Sequence, residues 1–231
     1  MLLILCLVVA YLLGAIPFSF IIAKRVKGID LRLHGSGNLG ATNVYRTLGP
    51  GWGTLCLLLD MAKGALAVFL MTLLVNSWPV HEPTPLRITP DLYRIFAGVA
   101  ATLGHTFSPF VSFRGGKGVA TVAGAFVVLE PLPILVCVVV FAAVFAATRI
   151  VSLGSIAAAA VFPVATLVFE FRDDEFSRTL FFFSLAVAAW VVFKHRENIR
   201  RLRAGTEQTL TAGNNGDRER DRTGSGRGSG R

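Results

Sequence analysis

Long apolar stretches separated by short polar or proline-containing connections dominate this chain, and they restrict its fold more than any other feature. Hydrophobic residues make up 53% of the 231 positions and charged residues only 16%, and the mean hydropathy is +0.62. An ordinary soluble domain is less apolar and carries more charge. We therefore predict an all-α fold, that of a polytopic helical membrane protein.

Seven segments are apolar enough to be predicted as membrane crossings. The first, residues 1–22, has neither a basic start nor a small-residue cleavage pattern, so we interpret it as a retained anchor rather than a signal peptide. The third is shorter than the roughly 20 residues that a full crossing needs, which leaves open a broken or half re-entrant segment. The predicted crossings are residues 1–22, 52–76, 94–107, 119–130, 132–148, 155–171 and 179–193.

Basic residues are concentrated in the connections on one side of this pattern, which the positive-inside rule assigns to the cytoplasm. We therefore predict an external N-terminus and a cytoplasmic C-terminus, with a cytoplasmic connection at residues 23–51 and a short internal turn at 149–154. The proline-rich residues 77–93 and the acidic residues 171–178 are predicted to be external loops. Residues 1–207 form the predicted membrane domain. The remainder, 208–231, is a predicted cytoplasmic tail that is rich in Arg and Gly and disordered over residues 213–231.

The composition also excludes several classes of function. Cys6, Cys56 and Cys137 lie inside apolar runs, without His or acidic neighbours at ligand spacing, so we predict buried thiols and neither disulfides nor a metal site. No stripe of basic and aromatic residues lies outside the spans, which argues against nucleic acid as a partner. The net charge of +9 instead favours anionic lipid headgroups and anionic substrates.

A glycine-dense polar segment, Gly104–Thr121 (GHTFSPFVSFRGGKGVAT), interrupts two apolar runs. Its glycines permit positive φ and a close approach of the backbone to a ligand, and Arg114 and Lys117 add two cations. Exposed amides beside fixed cations suit a phosphate; the glycines concerned are Gly115, Gly116 and Gly118. The segment fails the nucleotide-binding P-loop pattern because Gly118, not Ser or Thr, follows Lys117. A plain cytoplasmic connection is the alternative reading.

The segment His34–Gly49 (HGSGNLGATNVYRTLG) is also rich in glycine and hydrogen-bonding groups. It matches G-x-G-x-x-G, but no strand precedes it, so a dinucleotide-binding fold is disfavoured. We interpret it instead as an anion-binding segment, the alternative being a merely polar loop. Its candidate ligands are Ser36, Gly37, Asn38, Gly40, Thr42, Asn43 and the bidentate Arg46.

A third segment, Lys194–Glu207 (KHRENIRRLRAGTE), is strongly basic. His195 and Asn198 are three residues apart, so a helix presents both on one face. A simple basic collar beside the membrane is the alternative interpretation. The predicted topology places all three segments on the cytoplasmic side, and this convergence predicts a shared anion site.

Two further positions are unusual for a membrane span. Asp60 and Lys63 share one helical face near the cytoplasmic end of their crossing, where ionisable groups are costly unless they are paired or face a polar cavity. His105, at the start of the central segment, is a helix-cap partner, a core histidine or a group with a direct chemical role.

These segments, in this order, closely resemble the acyl-phosphate:glycerol-3-phosphate acyltransferase family, the PlsY-type integral membrane enzymes. The resemblance also includes LLDMAKG at Leu58–Gly64 and RIVSLGS at Arg149–Ser155, and it covers about residues 10–207. Leu39 departs from the usual Pro and Arg114 from the common Lys. The Leu39 departure implies a looser first loop.

The resemblance implies transfer of a fatty acyl group from acyl phosphate to the 1-hydroxyl of sn-glycerol 3-phosphate. The products are 1-acylglycerol 3-phosphate (lysophosphatidic acid) and phosphate, in the first acylation of phospholipid biosynthesis. It further implies a multi-pass protein of the bacterial inner membrane, a cytoplasmic active site and no cofactor. A phosphate or organic-anion transporter is the rival function, but it requires cations accessible from both faces and commonly shows internal repeats.

The resemblance also implies roles for individual residues. Ser36, Arg46 and Lys117 contact phosphate and oxyanion, whereas His195 and Asn198 orient glycerol 3-phosphate. Ser152 or Ser155 polarises the acyl carbonyl. Two proton acceptors remain open: the substrate phosphate, whose second pKa is about 6, and His195 acting as a general base.

Overall fold

The computed structural model describes residues 2–77, 89–170 and 178–210. Of Leu2 and Leu3 it describes the backbone and not the side chain. The described residues contain ten α-helices, two short 3₁₀ turns and no strand, which confirms the predicted all-α fold. The helices are α1 Leu2–Ala15, α2 Phe18–Lys27, α3 Ala41–Leu48, α4 Pro50–Ser77, α5 Pro90–Thr106, α6 Val119–Leu129, α7 Pro131–Thr148, α8 Val151–Glu170, α9 Arg178–Lys194 and α10 Arg196–Arg203.

Several of these helices are long and apolar enough to cross a bilayer, as expected for a polytopic membrane protein. The candidate spans are Ile4–Lys27, which combines α1 and α2, together with α4, α7 and α8. The pair α9 and α10, bent by 58°, provides a fifth. The seven predicted crossings also included α5 and α6, which have 17 and 11 residues and fall short of a full span. Length and composition therefore yield four or five crossings within the described residues.

The first predicted crossing is broken. Helix α1 ends at Ala15 and α2 begins at Phe18, because Pro17 has no N–H with which to continue the helical hydrogen bonds. The second helix then continues to Lys27, so Lys24 and Arg25 lie on a helix and not in a loop as predicted.

Two predicted connections are shorter than expected. The prolines of residues 77–93 indicated a loop, but Pro90 begins α5, because proline is well tolerated at the first helical position. The predicted turn 149–154 is reduced to Arg149 and Ile150, so Ser152 lies on α8. The predicted loops over 78–88 and 171–177, and the tail from 211 onward, lie outside the described residues.

Glycines let the helices that carry the polar segments touch through their backbones. A Cβ on Gly64 of α4 would collide with the Thr121 carbonyl of α6, and one on Gly124 of α6 would collide with the Met61 carbonyl of α4. The same close packing joins α1 to α5, where Gly104 lies against the Tyr11 carbonyl. Such small-residue contacts are typical of helices packed in membranes. They fix the start of α6 against α4 and the end of α5 against α1.

The other end of the bundle holds a separate buried polar pair. Glu130, at the start of α7, accepts a 2.8 Å hydrogen bond from the Thr166 hydroxyl of α8. Around this end Phe126 packs edge-on against Phe162 within an apolar cluster formed by α6, α7, α8 and α9.

Candidate active site

The first polar segment is shaped by the side chain of Asn43, which is 1% exposed. Its amide nitrogen donates to the carbonyls of Leu31, His34 and Asn38, and its oxygen accepts from the Ser36 amide at 2.9 Å. Asn43 therefore holds the loop together, and its side-chain amide is already hydrogen-bonded within the protein.

Two glycines allow this loop to turn, because Gly35 and Gly37 have φ of +59° and +70°. The amides of Gly37 and Gly40 donate to the carbonyls of His34 and Asn38. These amides are thus engaged in the loop, contrary to the expectation that they are available to an anion.

The central segment closes the end of α5. The amides of Gly115 and Gly116 donate to the carbonyls of Thr106 and His105, at 3.0 and 3.2 Å, so they cap the helix and are not the free phosphate donors expected. Only Gly118 of these three glycines has positive φ, +83°, and it precedes the first turn of α6. The chain thereby brings Lys117 to the N-terminal end of a helix.

The third segment meets the central one through a direct side-chain contact. Lys117 Nζ donates to the Asn198 side-chain oxygen at 2.5 Å, and the Asn198 amide nitrogen donates to Glu207 at 2.6 Å. His195 stands at the bend between α9 and α10, and its Nδ1 donates to the Val191 carbonyl at 2.7 Å. Because a carbonyl only accepts, Nδ1 carries the proton and Nε2 is an acceptor.

Glu207 links the elements of the site, although the sequence analysis gave it no role. Its carboxylate accepts hydrogen bonds from Ser152 of α8 at 2.6 Å, from Asn198 and from Arg201 Nε at 2.7 Å. These bonds hold the pKa of Glu207 below its usual value, although burial opposes the shift. The available signal was that this carboxylate ends a strongly basic segment with only one other acid, Glu197, since an acid among so many cations indicates a partner for them.

A short strap of residues 204–210 follows α10 and crosses the site. The Arg46 guanidinium donates to the Gln208 carbonyl at 3.0 Å, and the Leu210 amide donates to the Arg149 carbonyl at 2.7 Å. Arg46 Nε is buried and has no partner among the described residues. The strap thus joins α3, the turn before α8 and α10, and it leaves a buried donor of Arg46 available.

Burial and positive charge shift the titration of two candidate residues. Desolvation lowers the pKa of Lys117 to about 8, and the charges of Arg201 and Arg46 add to this effect. Lys117 is still mostly an ammonium at pH 7. Desolvation also lowers the pKa of His195 to about 4, with a further contribution from the charge of Lys117. His195 is therefore a neutral imidazole at pH 7.

The cluster has an excess of positive charge. Arg46, Lys117 and Arg201 are electrostatically coupled around the single carboxylate of Glu207, within the described part of the chain. One carboxylate cannot balance three cations in a half-buried site. The excess positive charge therefore favours the binding of an anion.

The sequence of this chain matches the family described as Glycerol-3-phosphate acyltransferase over residues 4–205. The chain belongs to the glycerol-3-phosphate acyltransferase family. The resemblance stated from the motifs is thereby confirmed.

Individual relatives of this acyltransferase family match nearly end to end. The glycerol-3-phosphate acyltransferase of Geotalea daltonii is 44% identical over 201 residues, covering 87% of this chain and 94% of that protein. The one from Geobacter sulfurreducens is 43% identical over 204 residues, covering 88% of this chain and 95% of that protein.

Solved structures of the family share the fold. The crystal structure of PlsY, an integral membrane glycerol 3-phosphate acyltransferase, in its glycerol 3-phosphate form has a TM-score of 0.77 and 35% identity. The match covers 91% of this chain and 96% of the PlsY chain. The lysophosphatidic acid form has a TM-score of 0.75 and 34% identity, over 92% of this chain and 97% of that one. This protein is accordingly an integral membrane protein.

The structure brings some of the candidate residues of this acyltransferase together and leaves others apart. Arg46, Lys117, His195, Asn198 and Ser152 lie in or beside the cationic cluster. Within the described residues, no hydrogen bond joins three other candidates to this cluster. Ser36 is exposed on the first loop, and Thr42 is half-buried on α3. Ser155 lies one turn along α8 from Ser152 and donates to the Val151 carbonyl of its own helix.

Proposed function

We propose that this protein transfers a fatty acyl group from acyl phosphate to the 1-hydroxyl of sn-glycerol 3-phosphate, giving lysophosphatidic acid and phosphate. The observation that carries the proposal is the contact of Lys117 with Asn198 inside a cationic cluster that also contains Arg46 and Arg201. Both substrates bear a phosphate and therefore require fixed positive charge. The family match supplies the reaction class.

An apolar cavity beside this cluster suits the acyl chain of the donor. It has a volume of about 170 Å³ and lies between α5, α6 and α9, with Gly98, Ala125, Phe126 and Leu129 among its lining residues. One of its lining residues lies against Gly118, the neighbour of Lys117. Thr102 lines the cavity, and its methyl carbon would lie 2.9 Å from a Cβ placed on Gly118.

The wall of the cavity formed by α9 also lies near the site. Trp190 of α9 lines the cavity, and the Lys194 ammonium lies 5.7 Å from the centroid of the Trp190 ring. Lys194 precedes His195. We infer that an acyl chain in this cavity places its phosphate-bearing end at the cationic cluster.

In the mechanism we propose, the 1-hydroxyl of glycerol 3-phosphate attacks the acyl carbonyl and phosphate leaves with the electrons of the acyl–oxygen bond. The hydroxyl proton passes to the phosphate that leaves. Lys117 and Arg46 neutralise the charge on phosphate and oxyanion, and Ser36 contributes a further donor. His195 Nε2 and Asn198 hold glycerol 3-phosphate. Ser152 or Ser155 polarises the carbonyl when its hydroxyl turns from Glu207 or from the Val151 carbonyl to the substrate. Acyl phosphate is already an activated anhydride, so positioning and charge neutralisation supply much of the catalysis.

Phosphate release by the purified, detergent-solubilised protein tests this function. We expect release from palmitoyl phosphate that depends on added glycerol 3-phosphate and equals the lysophosphatidic acid formed. A matched assay replaces palmitoyl phosphate by palmitoyl-coenzyme A, whose leaving group is a thiol, and therefore measures lysophosphatidic acid for both donors. Release of phosphate without acyl transfer, or equal use of both donors, would contradict the proposed donor.

The position of the acyl chain predicts a selective effect of Ala186→Phe. Ala186 is exposed on α9 and lines the cavity, so a phenyl ring there displaces part of a long chain. Loss of about three buried methylene groups, at about 0.8 kcal/mol each, lowers kcat/KM for palmitoyl phosphate about 60-fold. The measurement compares palmitoyl phosphate with butyryl phosphate, for which we expect a change below about threefold.

Ala189→Phe is the matched control, because Ala189 is also exposed on α9 but does not line the cavity. It should leave both donors within about threefold. An equal loss for the long and short donors of Ala186→Phe would place the acyl chain elsewhere.

We further propose seven crossings, with the N-terminus outside and the site facing the cytoplasm, in the bacterial inner membrane. Support comes from the clustering of basic residues at the end of the helix bundle that carries the site. In a variant lacking the native cysteines, cysteines at Arg25 and Arg203 should react with an impermeant maleimide only after the membrane is opened. Cysteines at Thr89 and Leu132 should react in intact cells. Reaction of Arg203→Cys in intact cells would refute a cytoplasmic site.

A further inference from the structure

Three ionisable side chains that the proposed chemistry does not use lie together inside the bundle. Asp60 and Lys63 of α4 and His105 of α5 are 2%, 4% and 8% exposed. Lys63 Nζ is 2.8 Å from Asp60 Oδ1, and His105 Nδ1 is 3.4 Å from the same oxygen. The sequence left open whether Asp60 and Lys63 are paired or face a polar cavity, and the structure shows the pair. Buried ionisable groups in a membrane protein are expensive and usually have a function.

Lys63 connects this cluster to the broken first span. Its ammonium donates to the Ile16 carbonyl at 2.9 Å and lies 5.6 Å from the centroid of the Phe18 ring. Ile16 lies in the break between α1 and α2. The ammonium therefore ties the break to α4.

His105 connects the cluster to the two polar loops. A Cβ placed on Gly116 would collide with His105 Nε2 and with the Leu39 carbonyl of the first loop. The Gly116 amide also donates to the His105 carbonyl, so the ring and the backbone of His105 both hold Gly116. The next residue along the chain is Lys117, the cation that contacts Asn198.

The helices around the cluster leave little freedom for the loop. Gly64, next to Lys63, lies against the Thr121 carbonyl near the start of α6, so α4 fixes the end of the loop as well. We propose that Asp60, Lys63 and His105 form a positioning network that sets where the central loop holds Lys117. This inference rests on the proposed function, because that function assigns Lys117 to a phosphate.

The competing explanation is that Asp60 and Lys63 merely neutralise each other within the membrane. The double variant Asp60→Asn/Lys63→Met separates the two, because it removes both charges together and leaves no unpaired buried charge. Mutual neutralisation predicts normal activity for this variant. A positioning role predicts a folded protein whose kcat/KM for both substrates falls about 100-fold, since a displacement of about 1 Å can cost that much.

His105→Ala is the second variant, because it removes the ring and keeps the Asp60–Lys63 pair. We expect a similar loss of kcat/KM, with partial rescue in His105→Gln, whose amide can still bond to Asp60. Glu130→Gln is the control, since it removes a buried carboxylate at the other end of the bundle. Its kcat/KM should stay within about threefold of the wild-type value.

Hydrogen exchange measured by mass spectrometry provides a readout that does not depend on activity. In the double variant and in His105→Ala, amide exchange should become at least about tenfold faster over residues 106–118, where the Gly115 and Gly116 amides are bonded. Exchange over α7, residues 131–148, should not change. If the wild-type protein transfers no acyl group while this local exchange pattern appears, the proposed function fails and the network stands.

Three outcomes would overturn the network. One is activity within about threefold of wild type in either folded variant, and another is unchanged exchange over residues 106–118. The third is faster exchange throughout the chain or loss of folded protein in both variants, which would make the cluster a general stabilising element.

Discussion

Replacement of Lys117 by alanine is expected to lower turnover at least about 100-fold, equivalent to about 2.7 kcal/mol in the activation barrier. Lys117 is a half-buried cation beside Asn198, and its pKa of about 8 keeps it charged at pH 7. Its removal therefore takes a fixed positive charge from a site with limited solvent screening. The measurement is kcat for phosphate release at saturating palmitoyl phosphate and glycerol 3-phosphate.

Two further variants show whether the lost charge is responsible. Lys117→Met keeps the aliphatic stem and should lose as much activity as the alanine variant. Arg200→Ala removes an exposed cation that pairs with Glu197 on α10, and it should remain within about threefold of wild type. If Lys117→Ala, recovered at normal folded yield, were also within threefold, the central segment would be an ordinary cytoplasmic connection.

The helical class of the fold and the identity of the principal cations were predictable from the sequence. Apolar runs of this length form helices in a membrane, and the polar segments between them carried the cations Arg46 and Lys117 as well as the neutral His195. Because alternate connections of a helical membrane protein lie on the same side, these residues were expected to converge. The contact of Lys117 with Asn198 confirms that the central segment and the third segment converge.

The hydrogen bonds within the loops were not predictable in the same way. Glycine-rich segments indicated free amides for an anion, but the amides of Gly115 and Gly116 close the end of α5. Whether an amide is free depends on which carbonyls the folded chain brings near it. The same is true of Asn43, whose side chain binds its own loop. It is also true of Glu207, whose three donors come from two helices, Ser152 from α8 and Asn198 and Arg201 from α10.

The predicted helix boundaries were wrong where proline was interpreted only as a helix breaker. Pro90 begins α5, whereas Pro17 does interrupt the first span. The two positions differ because proline at the first turn of a helix loses no hydrogen bond, whereas within a helix it does. The flanking residues carried the distinction, because Thr89 caps α5 and Asp91 lies in its first turn, whereas apolar residues flank Pro17.

His195→Asn is expected to raise the KM for glycerol 3-phosphate about tenfold and to lower kcat by less than that. The proton on His195 Nδ1 is committed to the Val191 carbonyl, so Nε2 is the acceptor for a substrate hydroxyl. Burial lowers the pKa of His195 to about 4, about two units below the second pKa of a substrate phosphate. The phosphate is then about 100-fold more basic, so His195 positions glycerol 3-phosphate and the phosphate takes the proton. Steady-state kinetics with glycerol 3-phosphate varied at saturating palmitoyl phosphate measures both constants.

The pH profile of kcat distinguishes this role from general-base catalysis. A base with a pKa of about 4 is already deprotonated above pH 5, so an inflection near pH 6 in the wild-type profile belongs to the substrate phosphate and should persist in His195→Asn. His34→Asn is the control, because His34 is exposed and its ring bonds to the Asp30 backbone, and it should leave both constants within about threefold. A fall in kcat of about 100-fold in His195→Asn with an unchanged KM, together with loss of the inflection near pH 6, would instead make His195 the general base. Such a result would also require its pKa to rise by about two units when substrates bind, which the neighbouring positive charge of Lys117 opposes until phosphate neutralises it.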